Sequence, residues 1–181
     1  MRKIIIPIKD GLKIQSWLEN DADELFLLVD KNRETLQEWL IWVPQTKTKE
    51  DIETFISKCL KEYEQKTGFQ MGLWDGDKLI GTIGLNNLDL GSKKASIGYW
   101  LSKTHQGKGT MTLATKTLIE YGFDTLDLNR IELKIASKNS KSKSIAERLG
   151  FKKEGTLRQD EYLNGKYHDY DIFSFLKSDQ N

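Results

Sequence analysis

The hydrophobic and polar positions of this chain change their period several times, and each change marks an element. Residues 2 to 8 and 12 to 18 read as two short strands around Asp10-Gly11, a dipeptide suited to a two-residue hairpin turn. Asn20 and Asp21 offer a cap for a helix through Leu28, and a second helical stretch follows to about Leu40. Thr48-Lys49-Glu50-Asp51 matches a helix start signal, and the helix it opens, to about Tyr63, gathers Ile52, Ile56, Cys59, Leu60 and Tyr63 on one face. Residues 69 to 74 and 78 to 86 form a hairpin around Asp75-Gly76-Asp77, and 94 to 102 continue the meander. Met111, Ala114 and Leu118 fall at i, i+3 and i+7, with Lys116 and Glu120 outside, so 107 to 122 read as a helix. Arg130 to Ala136 alternates strictly, as a strand does, and a short helix closes at Leu149-Gly150-Phe151.

This order implies a mixed α/β sheet with helices on both faces. The helix after 94 to 102 is long enough to cross over to a parallel neighbour at 130 to 136, and too long for a hairpin. A chain of 181 residues, 38% of them hydrophobic, suits one domain spanning 1–181. Lys+Arg 28 against Asp+Glu 27 gives no global field to attract nucleic acid. Apolar runs such as Ile4-Ile5-Ile6 are far short of a membrane span, and the N-terminus lacks the apolar core of a signal peptide, so a cytoplasmic protein with no membrane partner is expected. Cys59 stands alone, which excludes an internal disulfide and a cysteine-based metal framework. His105 and His168 are the only histidines, and no metal site is expected around them.

The most informative segment is Gln106-Gly107-Lys108-Gly109-Thr110-Met111. A strand ending in a glycine turn at a helix N-terminus leaves main-chain N–H groups unpaired, with the positive end of the helix dipole behind them. That is a seat for phosphate. Two better-known phosphate loops fail: a dinucleotide fingerprint needs glycine where Thr112 stands, and a P-loop needs Ser or Thr directly after Lys108, where Gly109 stands.

The segment resembles the acetyl-coenzyme A loop of the GNAT N-acetyltransferases: Gln106 and Gly109 match that pattern, and Met111 departs from it at the last position. Asn139-Ser140-Lys141-Ser142 and Leu149-Gly150-Phe151 are similar to the second half of the same family. Glu154-Gly155-Thr156-Leu157-Arg158, Glu161-Tyr162-Leu163-Asn164-Gly165, the closing Asp169 to Leu176 and the earlier Asn32 to Trp42 resemble its RimJ/RimL-like branch, the N-terminal acetyltransferases of ribosomal proteins. The resemblance implies a GNAT fold, with a mostly antiparallel sheet of about seven strands splayed between strands 4 and 5, and acetyl-CoA as co-substrate. It implies direct transfer of acetyl to an amine, the α-amine of a ribosomal protein's N-terminus being favoured over a polyamine, an antibiotic or an internal lysine. A non-catalytic CoA-binding module is the rival reading, and a homodimer is a further expectation from relatives.

The resemblance also assigns roles. Main-chain amides of Gln106, Gly107, Lys108, Gly109, Thr110 and Met111 would hold the pyrophosphate, with Met111 a source of crowding. A main-chain N–H near Leu101 or Ser102, at a strand bulge, would face the thioester oxygen. Asn139 would bond the pantetheine or simply turn the chain into the helix. Ser142 would donate to the departing thiolate, cap the short helix, or both. Glu161 is the candidate base, with Asp160 or a water as substitutes. Trp39 and Trp42 lie where this branch receives its acceptor. Lys141 and Lys143 would reach the coenzyme 3′-phosphate or, the favoured reading, solvate a helix.

Overall fold

In the computed structural model, which describes residues 3–180, the chain builds one eight-stranded sheet. The strands are β1 (Ile5–Pro7), β2 (Leu12–Ser16), β3 (Phe69–Asp75), β4 (Lys78–Asp89), β5 (Lys94–Leu101), β6 (Arg130–Ala136), β7 (Lys152–Leu163) and β8 (Lys166–Leu176). Their order is β1-β2-β3-β4-β5-β6-β8-β7, and every pairing is antiparallel except β5 with β6. The helices are α1 (Ala22–Leu36), α2 (Lys49–Glu64), α3 (Thr110–Asp124) and α4 (Ser140–Arg148). The expected start of β1 at residue 2 lies outside the described residues.

Four expectations are corrected. The sheet has eight strands rather than about seven, so the splayed pair is the fifth and sixth in chain order. The two helical stretches expected between Asp21 and Leu40 are one helix, because Ala22, Leu25, Val29, Asn32 and Leu36 form a single buried stripe that runs past Leu28 without a break. It stops at Leu36, and residues 37–46 turn over themselves instead, with the Thr46 N–H on the Trp42 carbonyl at 3.0 Å. Finally, α3 begins at Thr110 rather than at 107, because Gly107 and Gly109 hold φ of +77° and +79°, outside the helical region.

Two apolar layers sandwich the sheet. On one face Leu118, Phe123, Ile131, Leu133, Ile83 and Ala146 pack beneath α3 and α4. On the other Trp17, Leu25, Val29, Ile52, Ile56, Trp74 and Trp100 pack against α1 and α2. Cys59 lies in this second layer, where burial pushes its thiol up to about 12 and leaves it unreactive.

The parallel ladder is short. Lys94, Ala95 and Ser96 pair with Arg130, Ile131 and Glu132; beyond them β5 follows β4 to Leu101 while β6 follows β8 to Ala136. A gap therefore opens between the C-terminal halves of β5 and β6, with the α3 N-terminus and the first turn of α4 above it.

Candidate active site

The gap is lined by main chain whose direction the register dictates. The Ser102 N–H donates to the Ile80 carbonyl at 2.8 Å, and from Gly81↔Leu101 to Asn86↔Ser96 the register with β4 is unbroken. Even-numbered residues of β5 therefore bond to β4, and odd-numbered ones turn their N–H and C=O groups the other way. At Ala95 that way is β6; at Tyr99 and Leu101 it is the gap. Of the two N–H groups considered for the thioester oxygen, Ser102's is thus already engaged and Leu101's faces the opening. No bulge interrupts β5 here; the nearby irregularity is in the β3–β4 ladder at Leu73/Trp74.

At the mouth of the gap, Gly109 stands at the N-cap of α3 with no side chain closing it. No main-chain N–H from Gly107 to Thr112 finds an acceptor among the described residues; the first bonded one is Leu113, on the Gly109 carbonyl at 3.0 Å. A Cβ at Gly107 or Gly109 would meet nothing within 4 Å, so the turn is open beside both glycines. This fits a diphosphate. The Met111 side chain is 5% exposed and packs in the α3 core, so it does not crowd the seat.

Gln106 is a strut. Its Nε2 donates to the Leu101 carbonyl at 3.0 Å, and its Oε1 accepts from Lys141 Nζ at 3.1 Å, which ties the end of β5 to the first turn of α4. Lys143 lies against the buried Asp171 carboxylate at 3.3 Å and donates to the Ser137 carbonyl. Neither lysine merely solvates a helix, which corrects that expectation.

Asn139 caps α4, its Oδ1 accepting from the Ser142 N–H at 3.1 Å. Ser142 is therefore the third helical residue and not the cap, and its hydroxyl is released from that duty. Beneath it Tyr99, half-buried, turns its side chain to the α3–α4 layer. Burial pushes the Tyr99 hydroxyl up to about 12, while the Ser142 hydroxyl acts in the opposite sense. Asp171, 1% exposed, anchors this corner. Ser137, Thr156 and Lys153 approach its Oδ1 at 2.9, 2.8 and 2.8 Å, and Lys143 approaches Oδ2. Burial alone would raise its carboxyl; these four partners outweigh that and hold it below the usual carboxylate range.

Glu161 lies on the opposite side of the sheet. Between Leu157 and Glu161 the β7–β8 register slips, with Gln159 at φ +52° and its N–H on Asp169 Oδ1 at 2.8 Å. Glu161 pairs with His168, so both share a face with Tyr170 and oppose Asp171. The Tyr170 hydroxyl donates to Glu161 Oε2. Burial, then Glu161 and Asp160, raise the Tyr170 hydroxyl, so it stays protonated and keeps donating. Asp160 is paired with Lys134. Across from this hairpin are the turns at 37–46: Asn164 Nδ2 donates to the Gln37 carbonyl at 2.9 Å, and the Trp42 ring lies 6.4 Å from that of Trp100. Trp39 is half-buried in the same segment.

Tyr99, Asp171 and Asn32 escape a reading of the sequence. Asn32 sits inside α1, and its Oδ1 accepts from the Lys103 N–H at 2.9 Å, fastening the turn that follows β5. A buried asparagine in an apolar helical stripe was its only signal.

His105 Nδ1 lies 2.7 Å from Ser102 Oγ, and burial, then Lys78 and Lys108, lower its pKa. His168 meets the Leu163 carbonyl. Among the described residues no group of three or more His, Cys, Asp or Glu side chains is placed to hold a metal.

An acetyltransferase (GNAT) domain matches residues 12–152. The chain belongs to the GNAT acetyltransferases. It is 36% identical over 171 residues to Bacillus subtilis YdaF, 94% of this chain and 93% of that one, a protein whose name assigns it provisionally to ribosomal N-acetylation. It is 30% identical to the Escherichia coli ribosomal-protein-serine acetyltransferase, covering 97% and 98% of the two chains. Among solved structures, the RimL ribosomal L7/L12 α-N-protein acetyltransferase in complex with coenzyme A superposes with a TM-score of 0.94 at 27% identity, over 98% and 100% of the two chains. The protein is an acetyltransferase of the RimJ/RimL-like kind, and acetyl-CoA is its co-substrate. The amides of residues 107–112 are unpaired donors at the uncapped start of α3, an arrangement that suits an anion.

Proposed function

We propose that this enzyme transfers acetyl from acetyl-CoA to the α-amine at the N-terminus of a ribosomal protein. The supporting observation is that the likeness to proteins named for this activity runs the whole length of the chain, including both flanks of the acceptor side, the turns at 37–46 and the β7–β8 hairpin.

The chemistry divides between the two faces of the sheet. Amides at 107–112 seat the diphosphate, Asn139 and the odd-numbered main chain of β5 guide the pantetheine arm into the gap, and the Leu101 N–H bonds the thioester oxygen as it gains charge. The amine arrives from the Trp39–Trp42 side. Nitrogen attacks the carbonyl carbon, the C–S bond breaks, and its electron pair goes to sulfur. The proton shed by nitrogen passes to Glu161, whose place beside Tyr170 fixes its carboxylate. The sulfur takes its proton through the Ser142 hydroxyl, which is resupplied from solvent. An α-amine with a pKa near 8 is about one-tenth neutral at pH 7, whereas a lysine near 10.4 costs about 3 kcal/mol more to deprotonate. A lone carboxylate base suits the former.

The test is an acceptor panel with thiol release as the readout: peptides copying ribosomal-protein N-termini, the same peptides with blocked α-amines, polyamines and aminoglycosides. Acetylation of the free N-terminal peptides alone is expected, with mass spectrometry locating the acetyl on the first residue. Preferential turnover of a polyamine or aminoglycoside would overturn the assignment.

A further inference from the structure

Arg148 is an exposed cation held by a neutral group. It closes α4, and its Nη1 donates to Thr112 Oγ1, in the first turn of α3, at 2.6 Å. Arg33 and Arg130 sit against carboxylates, whereas among the described residues no carboxylate lies within ion-pair distance of Arg148. A guanidinium tethered only by a hydroxyl keeps its charge and most of its five N–H donors for another partner. The tether sets where that partner would lie. Thr112 is the third residue of α3, and its own N–H belongs to the unpaired row that begins at Gly107. Side chains of a helix lean toward its N-terminus, so the Thr112 hydroxyl draws the guanidinium toward the rim of that row. The two lysines considered from the sequence for the coenzyme 3′-phosphate are engaged elsewhere, Lys141 on Gln106 and Lys143 on Asp171 and the Ser137 carbonyl.

We infer that Arg148, tethered by Thr112, is the group that reads the 3′-phosphate of acetyl-CoA. The coenzyme carries two separate anionic groups, a diphosphate and a phosphate monoester, joined through a single ribose. With the diphosphate on the amides at 107–112, the monoester needs a donor beside that row rather than within it. The planar fork of a guanidinium matches phosphate oxygens in pairs, and a monoester near its second ionisation gains more from a cation than from neutral donors. Main-chain amides treat coenzyme A and its 3′-dephospho form alike. A guanidinium fixed at their edge separates the two. Arg148 touches no reacting atom, so it acts on coenzyme affinity and not on the transfer step.

The assignment rests on the diphosphate lying at residues 107–112, and a pair of coenzymes tests each part. The parent, Arg148→Ala, Arg148→Lys and Thr112→Val are compared for KM and kcat with acetyl-CoA and acetyl-3′-dephospho-CoA, and by thermal unfolding with CoA and 3′-dephospho-CoA. The parent is expected to show a KM about fivefold lower for acetyl-CoA at low salt, a preference that shrinks as salt is added. Arg148→Ala should raise the acetyl-CoA KM to that of the dephospho form, keep the latter within about twofold, and bring the two coenzymes' Tm shifts together. Arg148→Lys keeps the charge and part of the preference, and Thr112→Val, which frees the guanidinium, loses part of it. A parent stabilised equally by both coenzymes overturns the inference and leaves the diphosphate seat standing. Arg148→Ala raising both KM values by the same factor also overturns it, because that marks an effect on α3 itself. Stabilisation by neither coenzyme would remove the seat, and the inference with it.

Discussion

At the residue scale, the proposed function rests on a few polar groups whose partners are unusual. Glu161 accepts from a tyrosine held protonated by burial, while the adjacent Asp160 is occupied by Lys134. The two neighbouring carboxylates, candidate base and substitute on the sequence reading, are therefore unlike in the fold. Glu161→Gln is expected to reduce turnover of an N-terminal peptide at pH 6 to 7 and to recover much of it near pH 9. The sign follows from the substrate: above a pKa of about 8 the α-amine is already neutral and needs no base. A pH–rate profile checks this, and a loss of equal size at every pH would remove Glu161 from the base role. Gln106 and Lys141 show the converse, a side chain legible as a motif residue whose structural work, bridging Leu101 and α4, no motif announces.

At the element scale, the N-terminal turns of α3 and α4 are built differently, and the difference bears on the proposed coenzyme seat. Thr48 closes α2 with a capping box, and Asn139 caps α4, but α3 opens on a glycine with no cap at all. Leaving those amides bare forgoes about 1 kcal/mol of capping and keeps them for an anion. Gly109→Ala tests this. At φ +79° an alanine is strained by roughly 1–2 kcal/mol, and relief of that strain would rotate the amides away from a common focus. The parent enzyme at 100 times the Kd of acetyl-CoA should gain about 2.7 kcal/mol, roughly 5 to 10 °C in Tm. The variant is expected to show a shift less than half as large at the same ligand concentration, measured by thermal unfolding. A full shift would mean that the diphosphate seats elsewhere.

Across the whole molecule, Asp171 joins parts that are far apart in sequence: the Ser137 turn after β6, Lys143 of α4, and Lys153 and Thr156 of β7. Asp171→Asn leaves two lysines facing a neutral amide. Sealed ion pairs cost 3–5 kcal/mol to break, but both lysines reach solvent, so about 2 kcal/mol, or roughly 4 to 8 °C in Tm, is expected. The folded-state carboxyl is depressed, so its contribution is present above the unfolded pKa near 3.9 and is lost as pH falls through the lower folded value. The Tm difference between parent and variant should stay flat from pH 5 to 8 and shrink below about pH 4. A difference that grew on acidification would contradict this account.

Local physics in the sequence determined the strands from Phe69 to Leu101, the Thr48 helix start, the parallel crossover to Arg130–Ala136 and the glycine turn with unpaired amides before α3. The strands, the helix start and the glycine turn depend on neighbours within a few residues, through period, caps, or a φ that only glycine adopts freely; the crossover follows from the length of its connection. Three things were decided by tertiary packing. One buried stripe fused α1 across Leu28, long-range register opened the gap after Ser96 and aimed the β5 amides into it, and packing took the Tyr99 hydroxyl and the Asp171 side chain out of solvent. Desolvation is a property of what surrounds a side chain, and those surroundings come from segments tens of residues away, beyond the reach of any local pattern.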